Sequence, residues 1–193
     1  MHKIRFMAVT LVVVSTALMF SAPAAFANNS NIVYNPGFEL GSDGWTGNMY
    51  INSYEEESQV ARNGSGFADT GCVGHGCMDQ YEGSYVQQVL NTQAGQFYDV
   101  SFWVAESGGS TSEMAFYWNG SLVADVLNPA NNSCFWEGES CNYVQFTYTG
   151  LLATSDSTVF QVNGRQDPGG MFFEDFSVTP SGEPAPEPGS IAL

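Results

Sequence analysis

Residues 31–45, NIVYNPGFELGSDGW, decide how the rest of the chain is organised. Apolar Ile32 and Val33 come first, the turn-forming triplet 35–37 (NPG) follows, and the carboxylate of Glu39 stands just beyond it. Because Pro and Gly set the backbone of a tight turn, the pattern predicts a short first strand, a turn and a carboxylate held next to that turn.

A similar signal lies near the other end of the chain, at residues 171–178, MFFEDFSV. The simplest architecture places the two ends of one compact domain side by side. That arrangement brings Glu39 close to Glu174 or Asp175, so the sequence predicts a group of carboxylates where the ends meet.

Between these ends the chain reads as short strands separated by turns. Residues 97–105, FYDVSFWVA, give the clearest strand, and its alternation predicts a core face made of Tyr98, Val100, Phe102 and Val104. Trp103 is then the only large side chain on the opposite face. The pair Asn119-Gly120 is a strong hairpin signal. Since no segment after residue 27 shows a helical period, we expect an all-β fold, an antiparallel β-sandwich or jelly roll.

The first 27 residues have the three parts of a signal peptide. Lys3 and Arg5 give a basic start, residues 8–20 form an apolar run, and residues 25–27 (AFA) form a small-x-small cleavage site. We therefore expect a signal-peptide helix at residues 1–27 and an exported protein, located at the cell surface or outside the cell.

The rest of the chain divides into a β-sandwich domain at residues 28–179 and a disordered tail at 180–193, a linker rich in Pro, Gly and Glu. Without the signal peptide, 4 − 2 = 2 basic residues remain, Arg62 and Arg165, against 20 acidic ones, which gives a net charge of −18. Such a surface repels phosphate backbones and anionic lipids, so nucleic acid is not an expected partner.

The four cysteines form two close couples, Cys72 with Cys77 and Cys134 with Cys141. Three pairings are possible, and local pairing is favoured because both couples lie in Gly-, Asn- and Ser-rich loops of an exported chain. Zinc bound by cysteines and His75 is the alternative, but the spacings differ from the usual two-residue spacing of zinc sites.

An ordered set of motifs carries a family resemblance: NPGFELGSDGW, YDVSFWVAE, FYWNGSLV, NGRQDP, FFEDFSV and the Pro-Glu-Pro at 186–188. Together they resemble bacterial exported proteins with a PEP-CTERM sorting signal, whose shared domain is similar to the galactose-binding-like jelly roll of carbohydrate-binding modules. The resemblance implies extracellular polysaccharide as partner. That signal normally continues into an apolar helix and a basic end, whereas this sequence stops at Leu193. An exosortase-type processing enzyme is therefore expected only if the signal is complete in the cell.

The carboxylates at the joined ends suggest a structural calcium ion. The period of two predicts that Glu174 points to the core side with Phe172 and Phe176, where a bare charge is costly. Few basic partners exist in the chain, and the resemblance implies a structural calcium near the joined termini, held by Glu39, Glu174 and Asp175. The alternative is a glutamate that accepts hydrogen bonds from water or backbone N–H groups.

Sugar binding needs flat apolar surfaces with polar groups around them. The candidates for this role are Trp103, Trp136, Arg165 and Gln88. The alternatives are core packing for the aromatic residues and, for Arg165, an ion pair with Asp167 or Glu174.

Catalysis is not expected. His75 is the only histidine after the signal peptide, no nucleophile elbow is present, and Glu174 and Asp175 face opposite ways on a strand. The predicted function is a non-catalytic protein that binds extracellular polysaccharide. A structural surface or matrix protein without a small ligand, and a glycoside hydrolase built on another pair of acids, are the alternatives.

Overall fold

The computed structural model describes residues 30–52, 60–70, 84–107, 111–130, 134, 141–166 and 169–181, and it builds them into ten β-strands. The strands are β1 Thr46–Gly47, β2 Tyr50–Asn52, β3 Phe67–Asp69, β4 Ser84–Asn91, β5 Phe97–Ser107, β6 Ser112–Trp118, β7 Ser121–Leu127, β8 Val144–Leu152, β9 Ser157–Gln166 and β10 Gly170–Pro180. The predictions for residues 1–27, the Cys72–Cys77 couple, Trp136 and residues 182–193 lie outside these ranges.

The strands form two five-stranded antiparallel sheets. The first sheet has the order β1-β4-β9-β6-β7, and the second has the order β2-β3-β10-β5-β8. This confirms the all-β antiparallel sandwich. Within the described ranges, no helix has the length and apolar character needed to span a membrane.

Aromatic side chains from both sheets fill the space between them. Six phenylalanines are fully buried there: Phe38, Phe102, Phe116, Phe160, Phe173 and Phe176. Their rings meet mostly edge to face, for example Phe160 and Phe176 with centroids 5.3 Å apart, a geometry that aromatic quadrupoles favour. The core face predicted for β5 is confirmed, since Tyr98, Val100, Phe102 and Val104 are all buried.

The two ends of the domain lie side by side, as predicted. The Ile32 N–H donates to the Val178 carbonyl (2.9 Å), and the Phe176 N–H donates to the Pro36 carbonyl (3.0 Å). Beneath these bonds, Phe38 packs edge to face on Phe176. The approach of the ends is therefore part of the core and not only a surface contact.

The prediction of a first strand at Ile32 and Val33 is wrong, because a side chain occupies the ladder. The Asn31 amide donates to the Phe176 carbonyl (2.9 Å) and its oxygen accepts the Val178 N–H (2.8 Å). These are the groups that a continuing backbone ladder would use. The segment lies against β10 without becoming a strand.

A bulge in β10 changes which side chains face the core. The register with β5 shifts between Glu174 and Ser177, and Asp175 has a positive φ of 51°. A bulge inserts one residue and breaks the alternation, so Phe173 and Phe176 both point into the core. The expected core-side position of Glu174 is thus wrong: Glu174 points to the outer face of the second sheet, opposite Trp103 in the register.

A second, smaller cluster covers part of that outer face. Its buried members are Phe67, Ala105, Cys134 and Phe172, with Val60, Ala61, Cys141 and Tyr143 packed against them. The disulfide Cys134–Cys141 confirms the local pairing for this couple. The Tyr143 hydroxyl donates to the Val60 carbonyl (3.1 Å), which joins the chain just after Cys141 to the segment that precedes β3.

Candidate functional site

Glu174 holds a loop segment through two backbone amides. Its oxygens accept the Arg62 N–H and the Asn63 N–H, both at 2.8 Å, and its side chain is completely buried. The adjacent Asp175 forms an ion pair with the Arg62 guanidinium and accepts the Asn63 amide at 2.6 Å. A buried carboxylate needs such donors, because it has lost its water.

Glu39 holds the other end of the same segment. Its carboxylate accepts the Ser65 N–H (3.0 Å) and the Gly66 N–H (3.1 Å). A Cβ added at Gly64 would lie 2.0 Å from a Glu39 oxygen, and one added at Gly66 would lie 2.2 Å from the Gly37 carbonyl oxygen. Glycine is therefore required for this close approach.

These contacts bear on the calcium prediction for Glu39, Glu174 and Asp175. The three residues all contact segment 62–66, but they meet N–H donors and the guanidinium of Arg62 rather than further oxygen atoms. In the described part of the chain, no group of three or more His, Cys, Asp or Glu side chains is arranged to hold a metal ion. The donor set supports the alternative, carboxylates bonded to backbone amides, and calcium stays a prediction.

The environment of Glu174 changes its ionisation. Burial raises the pKa of Glu174 to about 7, and the charge of Asp175 acts in the same direction. The N–H groups of Asn63 and Arg62 and the Arg62 charge lower the pKa, but they do not outweigh burial. Segment 62–66 is consequently tied to a carboxyl group that titrates close to neutral pH.

Trp103 lies off the core face, as expected, and one face of its ring is occupied. The guanidinium carbon of Arg62 lies 3.8 Å from the ring centroid, within the range of a cation–π contact. Trp103 thus supports segment 62–66. A sugar-binding role for Trp103 stays a prediction, as does one for Trp136, which lies outside the described ranges.

Gln88 points inward and is 6% exposed. Its oxygen accepts the Tyr34 N–H (2.8 Å), and its amide donates to the Tyr34 carbonyl (2.9 Å). The Gln88 side chain therefore forms with the Tyr34 backbone the two hydrogen bonds that a neighbouring strand would form. This contact explains its burial and turns it away from the sheet surface that its neighbour Gln87 occupies.

The outer face of the first sheet carries both aromatic and polar side chains, the combination that a sugar-binding surface needs. Strand alternation places aromatic, amide and charged side chains on this surface, which we call the Tyr117 face. These residues are Tyr85, Gln87, Glu113, Tyr117, Asp125, Gln161, Asn163 and Arg165. Asn163 is buried, and the other seven residues are at least partly exposed.

The ladder register orders these side chains in rows across the strands. Gln87, Gln161 and Tyr117 are consecutive partners on β4, β9 and β6, and Tyr85 and Asn163 are partners in the next row. Register partners lie about 5 Å apart and point to the same side. The Gln161 amide donates to the Asn163 oxygen (2.7 Å), which fixes the orientation of both side chains.

One corner of the Tyr117 face carries charge. Glu113 is the register partner of Arg165 and shares a hydrogen bond with Asp125. Partial burial raises the pKa of Glu113, as do the charge and hydrogen bond of Asp125, while Arg165 lowers it. Arg165 therefore acts on Glu113. It lies on the first sheet whereas Glu174 lies on the second, so the alternative of an ion pair with Glu174 is wrong, and the other alternative, Asp167, lies outside the described residues.

Sequence reasoning missed most of this face. Arg165 was a candidate, but Tyr85, Tyr117 and Gln161 were not. A signal was available in β9, where polar Gln161, Asn163 and Arg165 alternate with buried residues. Three polar side chains in a row on one face of a central strand indicate a surface that is not core.

Comparison with known proteins identifies solved structures that have the same fold. Neither protein-family models nor curated proteins give a match to the sequence. TmCBM61 in complex with β-1,4-galactotriose is similar with a TM-score of 0.50 at 15% identity, covering 79% of this chain and 99% of that one. The CBM22-1 xylan-binding domain of Paenibacillus barcinonensis has a TM-score of 0.50 at 13% identity, covering 75% and 90%.

A family 22 carbohydrate-binding module of Clostridium thermocellum gives a TM-score of 0.52 at 14% identity, covering 79% of this chain and 94% of that module. At such identities the similarity concerns the fold. The chain has the antiparallel jelly-roll sandwich of these modules.

Proposed function

We propose that this protein is a non-catalytic carbohydrate-binding protein that holds extracellular polysaccharide on the Tyr117 face. The observation that carries the proposal is the row Gln87, Gln161 and Tyr117, with Tyr85 and Arg165 beside it on the same sheet surface. Tyrosine rings offer apolar surface to the C–H side of a sugar ring, and amides hydrogen-bond to its hydroxyl groups. The fold shared with carbohydrate-binding modules supports this assignment.

The two sheet exteriors differ in a way that favours the first sheet. On the second sheet, the cluster around Phe67 and Phe172 and segment 62–66 cover Glu174 and one side of Trp103. On the first sheet, Tyr85, Tyr117 and Gln161 keep part of their surface accessible. A chain-like ligand needs such an accessible surface.

Charge indicates the class of polysaccharide. The protein has 20 acidic residues against 4 basic ones, and the Tyr117 face itself carries Glu113 and Asp125 beside Arg165. A polyanionic glycan would meet repulsion at this surface. The ligand we propose is therefore a neutral polysaccharide.

The proposed location is outside the cell. The signal-peptide pattern of residues 1–27, the Pro-Glu-Pro at 186–188 and the Cys134–Cys141 disulfide support export. If the sorting signal is complete in the cell, an exosortase-type enzyme processes it, and the protein reaches the cell surface or the polysaccharide matrix.

Hydrolysis is the less favoured alternative. Glu113 and Asp125 are the acid pair on the proposed binding surface, and Asp125 lies close enough to raise the pKa of Glu113. Glycosidases place their two carboxyl groups about 5 Å or more apart so that the scissile bond lies between them. This geometry does not suit that pair for catalysis. Release of reducing sugar that Glu113→Gln abolished would establish hydrolysis.

Retardation of the protein in native gels that contain soluble neutral polysaccharides tests the proposal, with β-1,4-galactan and xylan as the first probes. We expect Tyr117→Ala and Gln161→Ala to weaken binding about tenfold, the effect of losing ~1.4 kcal/mol. Trp103→Ala on the other sheet is the matched control and is expected to bind normally. The reverse pattern would move the site to the second sheet.

A structural matrix protein without a small ligand is the remaining alternative. It predicts no retardation in the native gels and no binding on a broad glycan array, while the folded protein stays monodisperse in solution. That result would remove the proposed function and leave the fold unaffected.

A further inference from the structure

A small cleft opens at the edge of the sandwich, next to the Tyr117 face. Its volume is about 180 Å³. It lies where β1, the end strand of the first sheet, passes over to β2, the end strand of the second. Tyr85 lines the cleft and also belongs to the Tyr117 face, so the two surfaces are continuous.

The crossing between the sheets fixes Tyr85. Both Asn48 and Met49 donate their N–H groups to the Tyr85 carbonyl, at 3.0 and 3.2 Å, and the Asn48 side-chain oxygen accepts the Tyr85 N–H at 2.7 Å. A Cβ at Gly47 would lie 2.1 Å from that carbonyl oxygen, so the crossing lies directly on the strand. The wall of the cleft is therefore preorganised, which lowers the entropic cost of binding.

The lining has two kinds of surface. The lining includes the hydroxyl residues Ser42, Thr46 and Tyr85 and the apolar residues Met49 and Ile51. The Thr46 hydroxyl donates to the Gln87 carbonyl (3.5 Å). None of the residues that line the cleft carries a charge. Hydroxyl groups beside an apolar patch suit a neutral sugar unit, which has hydroxyl groups on its edge and C–H groups on its face.

We propose that this cleft receives a single-sugar branch of a neutral polysaccharide whose main chain lies across the Tyr117 face. The inference rests on the proposed function and adds a preference to it. The main chain contacts Tyr117 and Gln161, and the branch turns at Tyr85 into the cleft. The protein then binds a substituted chain more tightly than the same chain without branches.

Isothermal titration calorimetry with two matched pairs of probes tests this preference. The pairs are β-1,4-xylohexaose with and without one arabinosyl branch, and β-1,4-mannohexaose with and without one galactosyl branch. We expect the branched member of at least one pair to bind about 5- to 10-fold more tightly, the effect of one or two added neutral hydrogen bonds.

Variants of the cleft separate this preference from binding itself. Ser42→Ala removes a hydroxyl group from an exposed lining residue, and Ser42→Leu fills the cleft. Both are expected to reduce the affinity for the branched chain to that for the linear chain and to leave the linear chain unaffected. Tyr117→Ala is expected to weaken both.

The outcomes distinguish the two ideas. Equal affinity of the wild-type protein for both members of each pair, or an unchanged ratio in the cleft variants, overturns the branch preference alone. Normal binding of all probes by Tyr117→Ala overturns the proposed site on the Tyr117 face. Absence of binding to every probe counts against both.

Discussion

Phe38 and Phe176 meet edge to face with their ring centroids 5.7 Å apart, although 138 positions separate them in the sequence (176 − 38). Both are fully buried, and both also contact the Trp45 ring. The contact joins the first turn of the domain to its last strand. The two ends of the chain are thereby part of one hydrophobic core.

Phe38→Ala is therefore expected to destabilise the whole domain. Loss of a buried phenylalanine costs about 3–5 kcal/mol, because transfer free energy is lost and a cavity is left. Urea denaturation followed by tryptophan fluorescence measures the change. Leu40→Ala, two residues away and 60% exposed, is the control and is expected to change stability by less than about 0.5 kcal/mol. Equal effects of the two substitutions would contradict the joined core.

Gly66→Ala tests the close packing of segment 62–66 against the first turn. The added Cβ would lie 2.2 Å from the Gly37 carbonyl oxygen, so backbone must move. We expect a loss of about 1–3 kcal/mol, as for other overpacked sites, seen as a lower melting temperature. Gly95→Ala is the matched control, since its Cβ would meet nothing within 4 Å and only its positive φ of 83° is strained. A smaller loss at Gly66 than at Gly95 would argue against the packing described.

The raised pKa of Glu174 gives stability a defined dependence on pH. The folded-state pKa of about 7 lies above the ordinary value of 4.5, so the folded protein holds a proton that the unfolded chain releases. The stabilisation is complete below the ordinary pKa and is lost as pH rises through about 7. We expect Glu174→Gln to remove this decline from melting temperatures measured between about pH 4 and pH 8, a range that spans both pKa values. A wild-type slope retained by Glu174→Gln would contradict the assignment.

Calcium provides a separate test of the same region. Glu39 and Glu174 would have to exchange their N–H donors for the ion. If the predicted calcium site exists, calcium at about 1 mM, the affinity range of extracellular modules, raises the melting temperature of EDTA-treated protein. If the carboxylates keep the hydrogen bonds described, the melting temperature stays unchanged. An increase that Glu39→Gln abolished would establish a calcium site and require segment 62–66 to turn its carbonyl groups inward.

The sandwich and the joined ends could be predicted because they follow from local patterns. Alternation in β5 identified its core face, and Pro36 with Gly37 identified the first turn. The orientation of Glu174 could not be predicted, since a single residue with positive φ, Asp175, reverses the alternation and a standard period of two gives no sign of it.

The candidate site was harder to predict, because binding residues come from strands distant in sequence. Gln87, Tyr117 and Gln161 become neighbours only through the strand order β4-β9-β6. Tryptophan seemed the better indicator of sugar binding, yet two of the tryptophans, Trp45 and Trp118, are buried, and Trp118 donates its indole N–H to the Leu152 carbonyl (2.9 Å). Large aromatic side chains tend to be buried in the core, whereas the accessible surface of the first sheet carries tyrosine and amide side chains.

The position of β10 has a consequence for attachment. This last strand belongs to the second sheet, and the Ser181 N–H still donates to the Phe97 carbonyl (2.8 Å) there. Ser181 thus lies at the sheet opposite the one that bears Tyr117. If the protein is tethered through its C-terminal end, the Tyr117 face points away from the tether and towards the surrounding medium.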